Sequence, residues 1–225
     1  MTSKFFTALA GATAFCLVAG AAQADVTFIG YQTDVNANES LVTDFEGGPT
    51  LGEVAFLLPG YTLTGDAKLV TGTIPGLSAA PASAPDAWDT TQYLSVQMGQ
   101  SATLDTPLLS AISFYVGSLD GYNSFTFNLA DGTSQTVTGA SLAELPGMDA
   151  NGSQTAFTTN GRLTFSFASA IDSVVFNSGN YSLEVGNIGA VTLVPEPAAW
   201  AMMVLGFAGA GTMIRRRRPA MAAAA

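Results

Sequence analysis

The chain has 225 residues, with 7 basic and 17 acidic side chains, no histidine and one cysteine. The missing histidine excludes a Ser-His-Asp triad and any histidine-ligated metal site, and a single cysteine excludes an internal disulfide or a cysteine-ligated zinc site. A formal net charge of −10 argues against nucleic-acid binding, which needs clustered Lys and Arg to neutralise phosphates. The mean hydropathy of +0.34 is high for a soluble domain, and much of the apolar excess lies at the two ends of the chain.

The N-terminal segment, residues 1–24, is typical of a secretory signal peptide. Lys4 precedes an uncharged apolar run, and the run ends in a small-x-small site at residues 22–24. This pattern predicts entry through the general secretory translocon and cleavage by signal peptidase between Ala24 and Asp25. The alternative is a first transmembrane helix, which the small residues at the end of the run disfavour.

The C-terminal segment combines a short motif, an apolar run and an arginine cluster. The motif Pro195, Glu196 and Pro197 is followed by an uncharged run from Ala198 to Ile214, with Trp200 near its start, of about the minimum length for a membrane span. The run is followed at once by Arg215, Arg216, Arg217 and Arg218. Four arginines beside a span predict that this side stays in the cytoplasm, so the body of the protein lies outside the inner membrane. An ordinary tail anchor is the alternative and gives the same topology.

In order and spacing, residues 195–218 resemble the PEP-CTERM sorting signal in its PEPxxWA form. The resemblance implies recognition by an exosortase, transient insertion in the membrane, cleavage near the Pro-Glu-Pro motif, and delivery to the cell surface or exterior. It is a resemblance to exported proteins of Gram-negative bacteria that make exopolysaccharide. A tail at residues 219–225 continues past the arginines, where the family pattern usually stops.

The body, residues 25–194, carries 16 acidic but only two basic side chains, a formal net charge of about −14. Short segments of alternating or β-branched residues are separated by Gly, Asn and Asp, which predicts an all-β domain, a single antiparallel β-sandwich or jelly roll. Strands are expected at residues 26–31, 41–46, 112–117, 124–129, 135–138, 163–167, 172–176, 181–185 and 190–193.

Three connections between these strands carry specific expectations. Residues 120–122 read as the turn of a hairpin or near-hairpin between the strands that flank them. Residues 130–132, Ala-Asp-Gly, read as the turn into the next strand. Residues 75–87 are rich in Pro, Ala and Ser, which predicts a surface loop inserted between strands.

Calcium is the cofactor that this composition allows best, because it takes oxygen ligands only. Asp44 and Glu46 lie near the start of the body and Asn187 lies near its end. The first and last strands often adjoin in jelly-roll carbohydrate-binding modules, so these three residues are the candidate ligands. This hypothesis depends on analogy of fold and not on a metal-binding motif.

Glycan binding is the second chemistry we consider. Trp88 is the sole tryptophan of the body and follows the Pro-rich loop, which makes it the candidate platform for a sugar ring. The tyrosines of the body, at positions 93, 115, 122 and 181 among others, are further candidates, whereas Phe125, Phe127, Phe165 and Phe167 are expected in the core.

A hydrolase is disfavoured, because 16 carboxylates make some close pair inevitable and their number indicates a solvated surface. We therefore expect a protein that is not an enzyme. The leading interpretation is an exported envelope or matrix protein with a structural or interaction role linked to exopolysaccharide. The alternative is a carbohydrate-binding module with specific glycan affinity, stabilised by calcium.

Overall fold

The computed structural model describes residues 24–47, 57–193, 203 and 205–208 of the chain. They belong to two units, with the boundary between Thr192 and Leu193. In the second unit residues 203 and 205–208 are helical and exposed, and Leu193 is exposed and not part of a helix or strand. No helix among the described residues is both long enough and apolar enough to span a membrane. The predicted signal peptide up to residue 23, the sorting motif, the arginine cluster and most of the predicted span lie outside the described residues.

Within residues 24–47 and 57–193, the chain forms 12 strands and one helical turn, which confirms the prediction of an all-β body. The strands are β1 (Asp25–Gly30), β2 (Ser40–Thr43), β3 (Thr62–Gly65), β4 (Lys68–Thr71), β5 (Ala82–Ala84), β6 (Ala87–Trp88), β7 (Gln92–Val96), β8 (Ser101–Gly117), β9 (Asn123–Leu129), β10 (Ser134–Thr138), β11 (Gly161–Ser178) and β12 (Leu183–Thr192), with α1 (Gly139–Leu142) after β10.

Ten of these strands form one antiparallel sheet in the order β10-β9-β11-β8-β12-β7-β4, to which β1, β2 and β3 add at β11, β12 and β8. The long strands β8 and β11 pair with each other along most of their lengths. The first part of β11 pairs with β1, and the part after a register shift between Ser166 and Ile171 pairs with β9. Two halves of the sheet therefore share β8 and β11.

Aromatic side chains from the two halves meet in the core. The ring of Phe114, beside β12 and the first part of β11, lies 4.9 Å from Phe125 and 5.1 Å from Phe176 in the other half. Such separations are typical of favourable aromatic pairs. Phe165 packs on Phe127 at 4.7 Å. The halves thus face each other around one hydrophobic core, and the expectation that these phenylalanines are buried is confirmed, with Phe167 only partly buried.

The predicted hairpin between β8 and β9 is wrong, because β11 lies between these strands in the sheet. The local residues signal a change of direction but do not specify the neighbouring strand. Residues 118–122 instead cross the end of the sheet, where the Leu119 N–H donates to the carbonyl of Thr159 and Gly121 N–H to that of Ala150. The predicted turn at residues 130–132 does join the paired strands β9 and β10.

The prediction of a surface loop at residues 75–87 is also wrong in its central part. Ser78 to Ala82 are buried, and the segment contains β5 and part of β6. Small side chains let this backbone approach the sheet closely: a Cβ added at Gly117 would lie 2.9 Å from Pro81. The segment therefore forms a wall beside β8 and β12.

Candidate functional site

A cleft of about 630 Å³ opens where three segments of the body meet. The loop after β4, exposed at residues 73–77 and buried from Ser78, forms one wall. The β8–β9 connection and the residues facing it form the second, and the turn into β12 forms the third. Its lining consists of Thr73, Ile74, Pro75, Gly76, Leu77, Ser78, Ala79, Ser118, Asp120, Tyr122, Asn151, Gly152, Gln154, Asn180, Tyr181, Ser182 and Glu184.

Glu184 lies in the lining of this cleft with only 1% of its surface exposed. Its Oε1 accepts hydrogen bonds from Ser78 Oγ and the Ala79 N–H, both at 3.2 Å, and from Ser182 Oγ. Its Oε2 accepts from Ser118 Oγ at 2.7 Å. All four donors are neutral, so hydrogen bonds satisfy the carboxylate without a counter-ion.

Burial raises the pKa of Glu184 to about 7, against the opposing effect of its hydrogen bonds from Ser182, Ser118, Ala79 and Ser78. Removing a carboxylate from water disfavours its ionised form, whereas donated hydrogen bonds favour it. The carboxyl group therefore exchanges its proton near neutral pH.

Asp120 is the second acidic group of the cleft. Its Oδ2 accepts a hydrogen bond of 2.5 Å from the Tyr122 hydroxyl, and its backbone N–H donates to Asn123 Oδ1 at 2.8 Å. Burial raises the pKa of Asp120, and the hydrogen bond from Tyr122 opposes that shift. A Cβ added at Gly152 would lie 2.5 Å from Asp120 Oδ1, so the missing side chain leaves room for this carboxylate.

Tyr122 and Tyr181 supply the aromatic surface of the cleft. Tyr181 is 69% exposed, and Tyr122 is half-buried. Their segments are tied together by the Gly179 N–H, which donates to the Tyr122 carbonyl at 3.3 Å. Burial, the hydrogen bond to Asp120 and the charges of Asp120 and Glu184 raise the pKa of Tyr122. Both carboxylates therefore act electrostatically on this phenol.

The predicted glycan residue, Trp88, does not line the cleft. It lies on β6, is 42% exposed and pairs with Ala82 in a separate two-stranded sheet. Tyr93 and Tyr115 are buried, and their hydroxyls donate to the carbonyls of Gly72 and Ala82. Among the aromatic residues singled out in the sequence, the cleft thus brings together Tyr122 and Tyr181.

The predicted calcium ligands do come together. Asp44, Glu46 and Asn187 line a cavity of about 110 Å³, with Asp89 beside them. However, the side-chain oxygen of Asn187 accepts a hydrogen bond from the positively charged guanidinium of Arg162. Among the described residues, no three or more His, Cys, Asp or Glu side chains are arranged to hold a metal ion. Calcium binding stays a prediction, which melting with and without a chelator would test.

At the predicted signal-peptide cleavage position, Asp25 is the first residue of β1, and Ala24 donates its backbone N–H to Gln135 Oε1 at 3.0 Å. Cleavage between these residues would leave the whole of β1 in the body.

No protein-family model and no curated protein matches the chain. Solved structures that resemble it include the catalytic domain of a GH87 alpha-1,3-glucanase in complex with tetrasaccharides, with 12% identity, a TM-score of 0.36 and coverage of 74% of this chain and 29% of that one. The catalytic unit of the GH87 alpha-1,3-glucanase from Streptomyces thermodiastaticus has 15% identity, a TM-score of 0.30 and coverage of 60% and 26%.

The solution structure of CtCBM11 has 15% identity, a TM-score of 0.22 and coverage of 70% of this chain and 97% of that one. The chain thus spans less than a third of the length of the two glucanase structures. Likeness at this level assigns neither a family nor an activity, so the function has to be inferred from the cleft.

Proposed function

We propose that this protein is an exported glycan-binding protein of the bacterial envelope, and that its body, a β-sandwich of the jelly-roll type, binds sugar in the cleft. The observation that carries the proposal is the exposed ring of Tyr181 beside a half-buried Tyr122 and a carboxylate in one cleft of about 630 Å³. This volume is typical of small-molecule sites. The cleft favours a specific binding module over a purely structural role.

The lining matches the two kinds of surface that a sugar presents. A sugar ring has an apolar face, which the ring of Tyr181 can cover, and a rim of hydroxyl groups. Asp120, Asn151, Gln154 and Asn180 lie along the same cleft and offer hydrogen-bond acceptors and amide donors to that rim. A few polar groups around an aromatic surface fix the orientation of a ligand.

Binding fits this cleft better than hydrolysis does. A glycosidase needs two carboxyl groups that both face the scissile bond. Glu184 has four hydrogen-bond donors on its two oxygens and is 1% exposed, so it is already occupied by the protein. Release of reducing sugar from any bound glycan would contradict this part of the proposal.

Binding to a panel of polysaccharides and oligosaccharides tests the proposal. We expect Tyr181→Ala to weaken binding about tenfold, the equivalent of ~1.4 kcal/mol of lost ring contact. The matched control is Trp88→Ala, which removes an exposed aromatic side chain outside the cleft and should leave the affinity unchanged. No binding to the panel, or loss of binding only in the Trp88 variant, would overturn the assignment of the cleft.

The route to the envelope is a separate part of the proposal, supported by the sequence motif. We propose that exosortase cleaves near Pro195-Glu196-Pro197 after transient insertion of the apolar run Trp200–Ile214 in the inner membrane. Intact mass of the exported protein should show an N-terminus at Asp25 and a C-terminus at residues 195–197. An exported form that keeps Arg215–Arg218 would contradict sorting while leaving glycan binding open to its own test.

A further inference from the structure

We propose that the cleft selects sugars that carry a free amino group, such as units of glucosamine, over neutral and anionic sugars, with Asp120 as the specificity-determining residue. The inference rests on the proposed function and names the ligand class of the same site. It follows from the charges that line the cleft and from the hydrogen bonds that its carboxylates already make.

The described lining of the cleft is acidic. Asp120 and Glu184 line it, and no Lys or Arg is among the described lining residues. The two basic residues of the body lie elsewhere: Lys68 is exposed on β4, and Arg162 is buried in β11. A concave site lined by one sign of charge concentrates the field, which attracts cations and repels anions.

Asp120 has one oxygen free for a ligand. Its Oδ2 is held by the Tyr122 hydroxyl at 2.5 Å, whereas within the described residues Oδ1 has no hydrogen-bond donor. That oxygen lies over the backbone of Gly152, which is also in the lining of the cleft. An ammonium group brings several donors and a positive charge, and hydrogen bonds between two ionised groups are about twice as strong as neutral ones.

Above its pKa of about 7, Glu184 contributes negative charge without being a contact. Its oxygens are filled by neutral donors, so an ammonium group in the cleft would be the first cation to face it. Its charge acts in the same direction on Tyr122 beside Asp120, raising the pKa of that phenol after the larger effects of burial and of Asp120. A neutral sugar gains nothing from this field, and a uronic acid is repelled by it.

Calorimetric titration of the exported protein with three hexasaccharides tests the selectivity: a glucosamine hexamer, its N-acetylated counterpart and a glucose hexamer. We expect the glucosamine hexamer to bind at least about tenfold more tightly than the other two at low ionic strength, and the difference to shrink with added salt. Asp120→Asn should bring the glucosamine hexamer down to the affinity of the N-acetylated one.

A matched variant separates the site from general attraction to an acidic protein. Asp66→Asn removes the same charge from an exposed position outside the cleft and should keep the preference. Melting curves of the Asp120 and Asp66 variants show whether each stays folded, so that loss of binding through misfolding is recognised as such.

Each remaining outcome is decisive. Equal affinity for all three hexamers would overturn the selectivity and leave glycan binding in the cleft standing. An equal loss in the Asp66 and Asp120 variants would show attraction by net charge and would also overturn it. If the glucosamine hexamer does not bind while another member of the glycan panel does, the selectivity fails alone. If no glycan binds, the proposed function fails with it.

Discussion

Glu184 and Arg162 are two charged side chains of the same sheet, each 1% exposed, with very different surroundings. The guanidinium of Arg162 donates to Ser113 Oγ and to the Thr33 carbonyl, both at 2.8 Å, and to Asn187. Ser113 in turn donates to Glu39 at 2.5 Å. Glu184 has only neutral donors around it and lines the open cleft.

The difference separates a charge with charged and polar partners inside the protein from one that lines the cleft without a charged partner among the described residues. Burial lowers the pKa of Arg162 to about 10, against the raising effect of Glu39 and Asp34, so it stays charged at neutral pH. Its bonds connect the segment after β1 with β8, β11 and the region of Asn187 in β12. Glu184 has no such charged partner within the described residues, and the space beside it is large enough for a ligand to supply one.

The largest effect is expected for Arg162→Met, which removes the guanidinium and keeps an unbranched apolar side chain. The free energy of unfolding should fall by about 3–5 kcal/mol, because the polar partners of a buried charge lose their donor. Urea unfolding measures the loss. Arg162→Lys keeps the charge but loses the planar set of guanidinium donors, so its free energy of unfolding should lie between those of the wild type and Arg162→Met. A loss under about 1 kcal/mol would contradict a stabilising role for the hydrogen bonds that Arg162 makes to Ser113, Thr33 and Asn187.

A smaller effect, visible only as a dependence on pH, is expected at Glu184. Its pKa rises from 4.5 in the unfolded chain to about 7 in the folded protein, so the folded state holds a proton that the unfolded state has lost between these values. Its contribution to stability is therefore greatest below pH 4.5, falls as the pH rises toward 7, and is constant above that. The span is on the order of 3 kcal/mol.

Glu184→Gln isolates this dependence, because it keeps the shape of the side chain and cannot ionise. The difference in unfolding free energy between the wild type and this variant should decline from acidic to neutral pH. Thermal melts at closely spaced pH values measure it, and the other carboxyl groups cancel in the difference. A difference that does not vary with pH would show that burial does not raise the pKa of Glu184.

The sequence was a good guide to the strands and a poor one to the cleft. Alternating residues predicted a strand at 124–129, and β9 spans Asn123–Leu129, because alternation reports directly on one buried face. The donors of Glu184 come from three separate segments, with Ser78 106 residues away and Ser118 66 residues away. No local pattern marks such a convergence, so one acid among 16 could not be singled out.

The same limit explains the candidate ligands. The pairing of β2 with β12 brings Asp44, Glu46 and Asn187 to one cavity, although the first strand, β1, pairs with β11 and not with the last strand. The hydrogen bond from Arg162 to Asn187 depends on a third strand, which the analogy did not consider. Trp88 was singled out because it is rare in the sequence, whereas the position of an aromatic residue at a cleft depends on the tertiary fold.

The smallest effect is expected for Tyr122→Phe, which breaks a contact inside the cleft and leaves the rest of the fold untouched. Because Tyr122 is half-buried, loss of its hydrogen bond to Asp120 should cost about 1 kcal/mol or less, well below the loss at Arg162. That hydrogen bond lowers the pKa of Asp120 against the effect of burial, so the variant should raise the pKa further. Carboxyl resonances followed by NMR titration would show the shift. An unchanged pKa would contradict a hydrogen bond from Tyr122 that holds the Asp120 carboxylate.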